Sequence, residues 1–121
     1  MSAERNLGLE FRTKQFALQI IELFSGLPES TVARVLGRQV LRSGTSVGAQ
    51  YREAARAKFR ADFVSKTEGA LQELEEKRYW LDLLLDSKTA GKDRVQPLAR
   101  EAEELTRMLV ASARTAKRNR P

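Results

Sequence analysis

Glu73 and Glu76 stand three residues apart, a spacing that puts both carboxylates on one face of a helix, where such a pair could hold a metal ion or pass a proton. The rest of the chain limits that chemistry. Di-metal bundle sites join glutamate to histidine in a Glu-x-x-His pair, and this sequence contains no histidine and no cysteine. The commonest general base and the thiolate nucleophile are therefore missing, so no catalytic residue, metal site, cofactor or small-molecule substrate is expected. The remaining use for the two carboxylates is ionic. Arg42, Arg52 or Lys66 can pair with them, across one chain or between subunits.

Asp62, Lys66, Gly69, Glu73, Glu76 and Trp80 recur at spacings of four and three and share one flank of a helix. Beside that flank runs an apolar line of Phe63, Thr67, Ala70, Leu74, Leu81 and Leu85. Trp80 and Tyr79 could stack on nucleic-acid bases. Trp80 shares its line with the glutamates, however, and reads as the wall of an interface or core, while Tyr51 reads as core.

These side chains need long helices to position them. The main punctuation is "SGLPES" at 25–30 and "DSKTAGKD" at 86–93, with helical periodicity between, which predicts helices at about 10–25, 31–56, 60–86 and 93–117. The first should bury Phe16, Ile20 and Leu23, with Ala17, Ile21 and Phe24 beside them. Ser30 is placed to cap the second. In that helix Leu36, Val40, Val47, Tyr51 and Ala54 oppose an arginine line of Arg34, Arg38, Arg42, Arg52 and Arg56, which Thr45 and Ala49 complete. Ser43, Gly44, Ser46 and Gly48 lie in the same helix, and each glycine costs it up to about 1 kcal/mol. Close approach of a neighbouring backbone at Ser43, Gly44 and Gly48 would offset that loss. A turn is expected near Ala57 to Phe59. In the fourth helix Asp93 can cap, Pro97 is tolerable only near the first turn, and Val95, Leu98, Ala102, Leu105, Leu109, Ser112 and Ala116 keep heptad spacing. Together these elements predict an all-α fold, an antiparallel up-down-up-down four-helix bundle forming one domain over residues 1–121.

The net charge is +6 and the isoelectric point about 10.1, a balance that favours polyanions as partners. It is unevenly spread. Residues 31–60 carry seven basic side chains against one acid, and residues 61–86 carry three against seven. Arg34, Arg38 and Arg56, with Arg114, Lys117, Arg118 and Arg120 of the tail "SARTAKRNRP", are the candidate nucleic-acid contacts, and the tail has no acid near it in sequence. No apolar run approaches the roughly 20 residues of a spanning helix, and the N-terminus lacks a signal core, so a cytoplasmic protein without a membrane partner is expected.

The stretches "RSGTSVGAQYREAARA" and "ADFVSKTEGALQELEEKRYWLDLL" resemble the paired signature of a bacterial four-helix-bundle family, the intervening-sequence proteins of 23S ribosomal RNA. The similarity runs from Phe16 to Lys117. It matches the family pattern at Arg42, Ser43, Arg52, Glu53, Ala54, Asp62, Phe63, Lys66, Glu73, Glu76, Trp80 and Leu81. One departure is Phe59, where the family often has a capping serine. The resemblance implies a homo-oligomer, typically a ring-like pentamer, and a role near RNA or DNA, and it brings no enzymatic reaction. Two readings stay open: a nucleic-acid-binding accessory factor, or a structural or protein-interaction assembly module. The direction of the arginines, outward or against Glu73 and Glu76, separates them.

Overall fold

The computed structural model describes the backbone of residues 3–118 and the side chains of residues 8–118. Four helices follow one another: α1 (Ala3–Ser25), α2 (Thr31–Ala55), α3 (Arg60–Asp86) and α4 (Lys92–Arg118). Ser30 shows why α2 starts where it does. Its backbone is extended and its Oγ accepts the N–H of Ala33 at 3.0 Å, which satisfies one free donor of the first turn. Phe59 stands at the same place before α3 and offers no side-chain cap. At the far end of α3, Lys88 takes a left-handed φ of 62° while its N–H reaches the Leu85 carbonyl and that of Thr89 reaches Leu84. This is a Schellman stop with lysine where glycine is usual. The fourth helix begins one residue earlier than expected, so Asp93 lies in its first turn instead of capping it; Pro97 is the sixth residue of α4, and its missing N–H leaves the Asp93 carbonyl without its helical donor.

Each helix packs on its sequence neighbour, and α1 meets α4 to close the bundle. All four seams are antiparallel. Gly37, Gly44 and Gly48 face Phe24, Ile20 and Thr13 in descending order, and Lys117 and Glu103 of α4 pair with Glu68 and Arg78 of α3. Phe16, Ile20, Leu23, Val40, Val47, Tyr51, Phe63, Leu74, Leu81, Leu105 and Leu109 form the core. The seven residues of the α4 heptad line, Val95 to Ala116, are all buried. Two helix faces differ from the expected ones. Ile21 is exposed, together with Leu18 and Phe11, and Leu9 and Thr13 extend the buried line of α1 instead. On α3 the buried line ends on Leu84, with Leu85 half-buried, because spacings of four and three continued from Leu81 reach Leu84.

The soft segment of α2 resolves into two devices. The hydroxyls of Ser43, Thr45 and Ser46 donate to the carbonyls four residues back at 2.7–2.8 Å, so they remain satisfied inside a helix. The glycines make room for α1. A Cβ on Gly44 would lie 2.8 Å from Ile20 Cγ1, and one on Gly48 would lie 3.3 Å from Thr13 Oγ1 and 3.5 Å from the Thr13 carbonyl. At Gly44 a side chain, rather than the expected backbone, comes close.

Candidate nucleic-acid interface and the charged seams beside it

The flank of α3 that carries the glutamates lies along the outer edge of α2. Arg42 donates from Nη2 to Glu76, and its Nη1 lies 3.6 Å from Glu73 Oε2. Trp80 Nε1 donates to the same Glu76 oxygen at 3.3 Å. These donors, Trp80 first and Arg42 second, hold the Glu76 carboxyl below its ordinary pKa. The cluster joins two helices, α2 through Arg42 and α3 through Glu73, Glu76 and Trp80. Lys66 forms a separate pair with Glu53 at 3.0 Å. Asp62 and Arg52 make no ion pair among the described residues, so the expected network divides into one cluster, one pair and two free charges. Trp80 is half-buried against the core, Tyr79 stands exposed with its ring edge-on to it, and Tyr51 is buried edge-to-face with Phe63.

The arginine line of α2 faces away from the core. Arg34, Arg38 and Arg52 are exposed and carry no ion pair among the described residues; Arg42 is committed to Glu73 and Glu76, and Arg56 donates to Glu10 at 2.7 Å. Arg52 also borders a groove of about 480 Å³ between α1 and α2, beside Lys14, Phe11, Ala17 and Ala49. Near the end of α4 Arg114 and Arg118 are exposed with no ion pair among the described residues, whereas Lys117 lies 3.1 Å from Glu68. The acid absent from the tail's sequence neighbourhood is supplied by α3. Arg120 lies outside the described residues.

Two charged groups were not anticipated. Arg12 bridges α1 to α4: its Nη2 and Nε donate to the two oxygens of Glu101 at 2.7 and 3.2 Å, and its Nη1 reaches Met108 Sδ at 2.9 Å. The bonds to Glu101 raise its pKa further above the usual arginine range. Lys77 is fully buried, with Nζ 4.3 Å from the centre of the Phe16 ring and no hydrogen-bond partner among the described residues. Burial, reinforced by the charge of Arg78 and opposed by Glu101, pushes its pKa down to about 7. Its position was legible: spacings of four and three along Phe63, Thr67, Ala70, Leu74 and Leu81 place residue 77 in the seam. Lysine was passed over because its type argues against burial.

An antiparallel bundle with polar clusters along its seams and an outward basic stripe defines a class of small all-α proteins. The chain belongs to the 23S rRNA-intervening sequence protein family, whose model matches residues 6–111. It is similar to a crystal structure of a protein of unknown function from the S23 ribosomal protein family of Bacteroides thetaiotaomicron. That likeness has 32% identity and a TM-score of 0.85, and it covers 91% of this chain and 98% of the other. No protein of curated function matches. Among the described residues, no helix is long and apolar enough to cross a membrane.

Proposed function

We propose that the protein is a non-enzymatic, homo-oligomeric accessory factor that binds nucleic acid, with RNA as the first candidate. The observation that carries this reading is the state of the α2 arginines. Arg34, Arg38 and Arg52 are exposed with no ion pair among the described residues, while Glu73 and Glu76 are held by Arg42 and Trp80 within the chain. Cations left free on one face are available to phosphate, and phosphate contacts dominate affinity for polyanions. The family name, which refers to ribosomal RNA, supports the same direction.

Self-association draws support from Phe11, Leu18 and Ile21 on α1, apolar side chains that stand exposed among the described residues. They also favour the second reading, an assembly module without nucleic acid. A salt series separates the two. Replacing Arg34, Arg38 and Arg52 by glutamine is expected to weaken RNA binding across sequences and to flatten the log–log salt slope by about 0.7–0.9 for each phosphate no longer neutralised. The same substitution at Arg114, Lys117, Arg118 and Arg120 should act in the same direction, with less from Lys117 because of Glu68. A parent protein that binds neither RNA nor DNA at low salt would leave only the assembly reading. Light scattering tests the oligomer, for which the pentamer is the expected mass, and a monomer at micromolar concentration would remove that part of the proposal.

A further inference from the structure

The two ends of the bundle differ in charge. At one end the turn between α2 and α3 (56–59) lies beside the last turn of α4. Arg56 and Lys58 stand in the turn, Arg60 opens α3, Arg114, Lys117 and Arg118 close α4, and neither 56–60 nor 114–118 contains an acid. At the other end, the turns at 26–30 and 87–91 and their flanks mix Glu29, Asp86 and Asp93 with Lys88, Lys92 and Arg94. The basic end has two acids paired onto it, Glu10 with Arg56 and Glu68 with Lys117. Lys58, Arg60, Arg114 and Arg118 keep exposed side chains with no ion pair among the described residues, and Asp62, two residues after Arg60, is likewise unpaired among them. The local balance remains basic.

An exposed aromatic ring stands between Lys58 and Arg60. Phe59 is 63% exposed, with Lys58 Nζ 5.9 Å from its centroid, and it borders a groove of about 220 Å³ shared with Arg60, Phe63 and Ala116. A second groove, of about 420 Å³, continues from Arg60 past Ser65 to Lys117. Phe59 serves the fold poorly where it stands. It occupies the position before α3 at which a hydroxyl or carboxylate would cap the helix, makes no capping bond, and leaves most of its ring in water. A residue that breaks a local rule without a packing gain points to use by a partner.

We infer that this end of the bundle binds single-stranded nucleic acid, with an unpaired base stacked on Phe59 and the adjoining phosphates held by Lys58 and Arg60. The inference rests on the nucleic-acid reading above and assigns it a place and a strand preference. A ring flanked by cations suits a single strand because each base offers a π-face next to a phosphate, whereas the bases of a duplex are stacked within it and cannot reach the ring.

The test uses the full chain, a labelled oligouridylate of about twenty nucleotides and a blunt duplex RNA of equal length, with affinities read by fluorescence anisotropy at low salt. Phe59→Ser is the informative variant, because it restores a capping hydroxyl while it removes the ring. It is expected to melt at or above the parent temperature yet bind the single strand roughly five- to a hundred-fold more weakly, with little change toward the duplex. Phe59→Tyr should retain binding. A parent that binds oligouridylate while Phe59→Ser binds equally well overturns the stacking site and leaves the broader reading standing. If the parent binds no nucleic acid, both fall. If Phe59→Ser changes the oligomer mass in light scattering, the ring belongs to a subunit contact and the inference is wrong.

Discussion

On α3, Glu76 lies at the rim with Trp80 and Arg42 as donors, whereas Lys77, one residue on, turns into the core, where its amine meets the ring of Phe16 and no hydrogen-bond partner among the described residues. The two side chains are ionisable groups of opposite type in a single helical turn. One is kept in its charged form by its neighbours, and the other is driven toward its neutral form by the loss of water. A step of 100° along a helix therefore decides whether an ionisable group is supported or penalised, and residue type alone does not.

The largest effect should come from relieving the penalised member. Lys77→Met keeps the length of the side chain and removes the amine, and it is expected to stabilise the fold by about 2–4 kcal/mol at pH 7, read as a higher urea midpoint. The sign of the pH dependence follows from the shift. The folded pKa of about 7 lies below the ordinary 10.5, so between those values the unfolded chain binds the extra proton and stability rises with pH. The slope is at most about 1.4 kcal/mol per pH unit and vanishes below pH 7, where both states are protonated. The advantage of the methionine variant should thus shrink steadily toward pH 10. A difference that stays constant over that range would show that the amine is not buried as described.

Next in size are the glycines that let α1 and α2 meet. Gly44→Leu would drive a side chain into Ile20, and a loss of about 1–3 kcal/mol is expected in thermal melts. Gly48→Leu should act similarly through Thr13, and an unchanged melting temperature and mass would reject the close contact. At the rim, Arg42→Gln is expected to cost only about 0.2–1 kcal/mol, since the arginine is half-exposed. Glu76→Gln should act mainly on the acid limb. A carboxyl with a lowered folded pKa adds stability that is present above its unfolded value and lost as the pH falls through the folded one. The variant should therefore lose less stability on acidification than the parent, and parallel acid titrations of the two would contradict that assignment. The smallest change expected is a gain of up to about 1 kcal/mol from Lys88→Gly, which removes a Cβ from a left-handed position.

The same contrast explains what could be read from the sequence. The four helices and their antiparallel order were legible because apolar residues recur at three and four and because Ser30, Gly91 and Pro28 punctuate the chain. Arg42, Glu73, Glu76 and Trp80 could be placed on facing flanks from spacing. Their division from Lys66, Glu53, Arg52 and Asp62 could not, since flexible side chains choose among several partners within reach. The partner of Lys117 was hidden for a related reason: Glu68 is remote in sequence and adjacent only after α3 and α4 pack. Ile21 has the right type for the core but sits just beyond the edge of the buried stripe. Phe59 showed only a missing cap in the sequence, and its exposure among cations is a property of the folded end.

The contact between Lys77 and Phe16 ties a proton equilibrium to the attachment of a single helix. Phe16 belongs to α1, and the α1–α4 seam is the sparsest of the four, bridged chiefly by Arg12 with Glu101. If α1 lifts away, water reaches the Lys77 amine and protonation becomes favourable without the other three helices separating. Hydrogen exchange should therefore quicken first in the amides of α1 as the pH is lowered toward 7, once corrected for intrinsic exchange rates, while those of α3 and α4 stay protected. In Lys77→Met that early opening should be absent, which makes α1 a leaf whose hinge is biased by one buried amine.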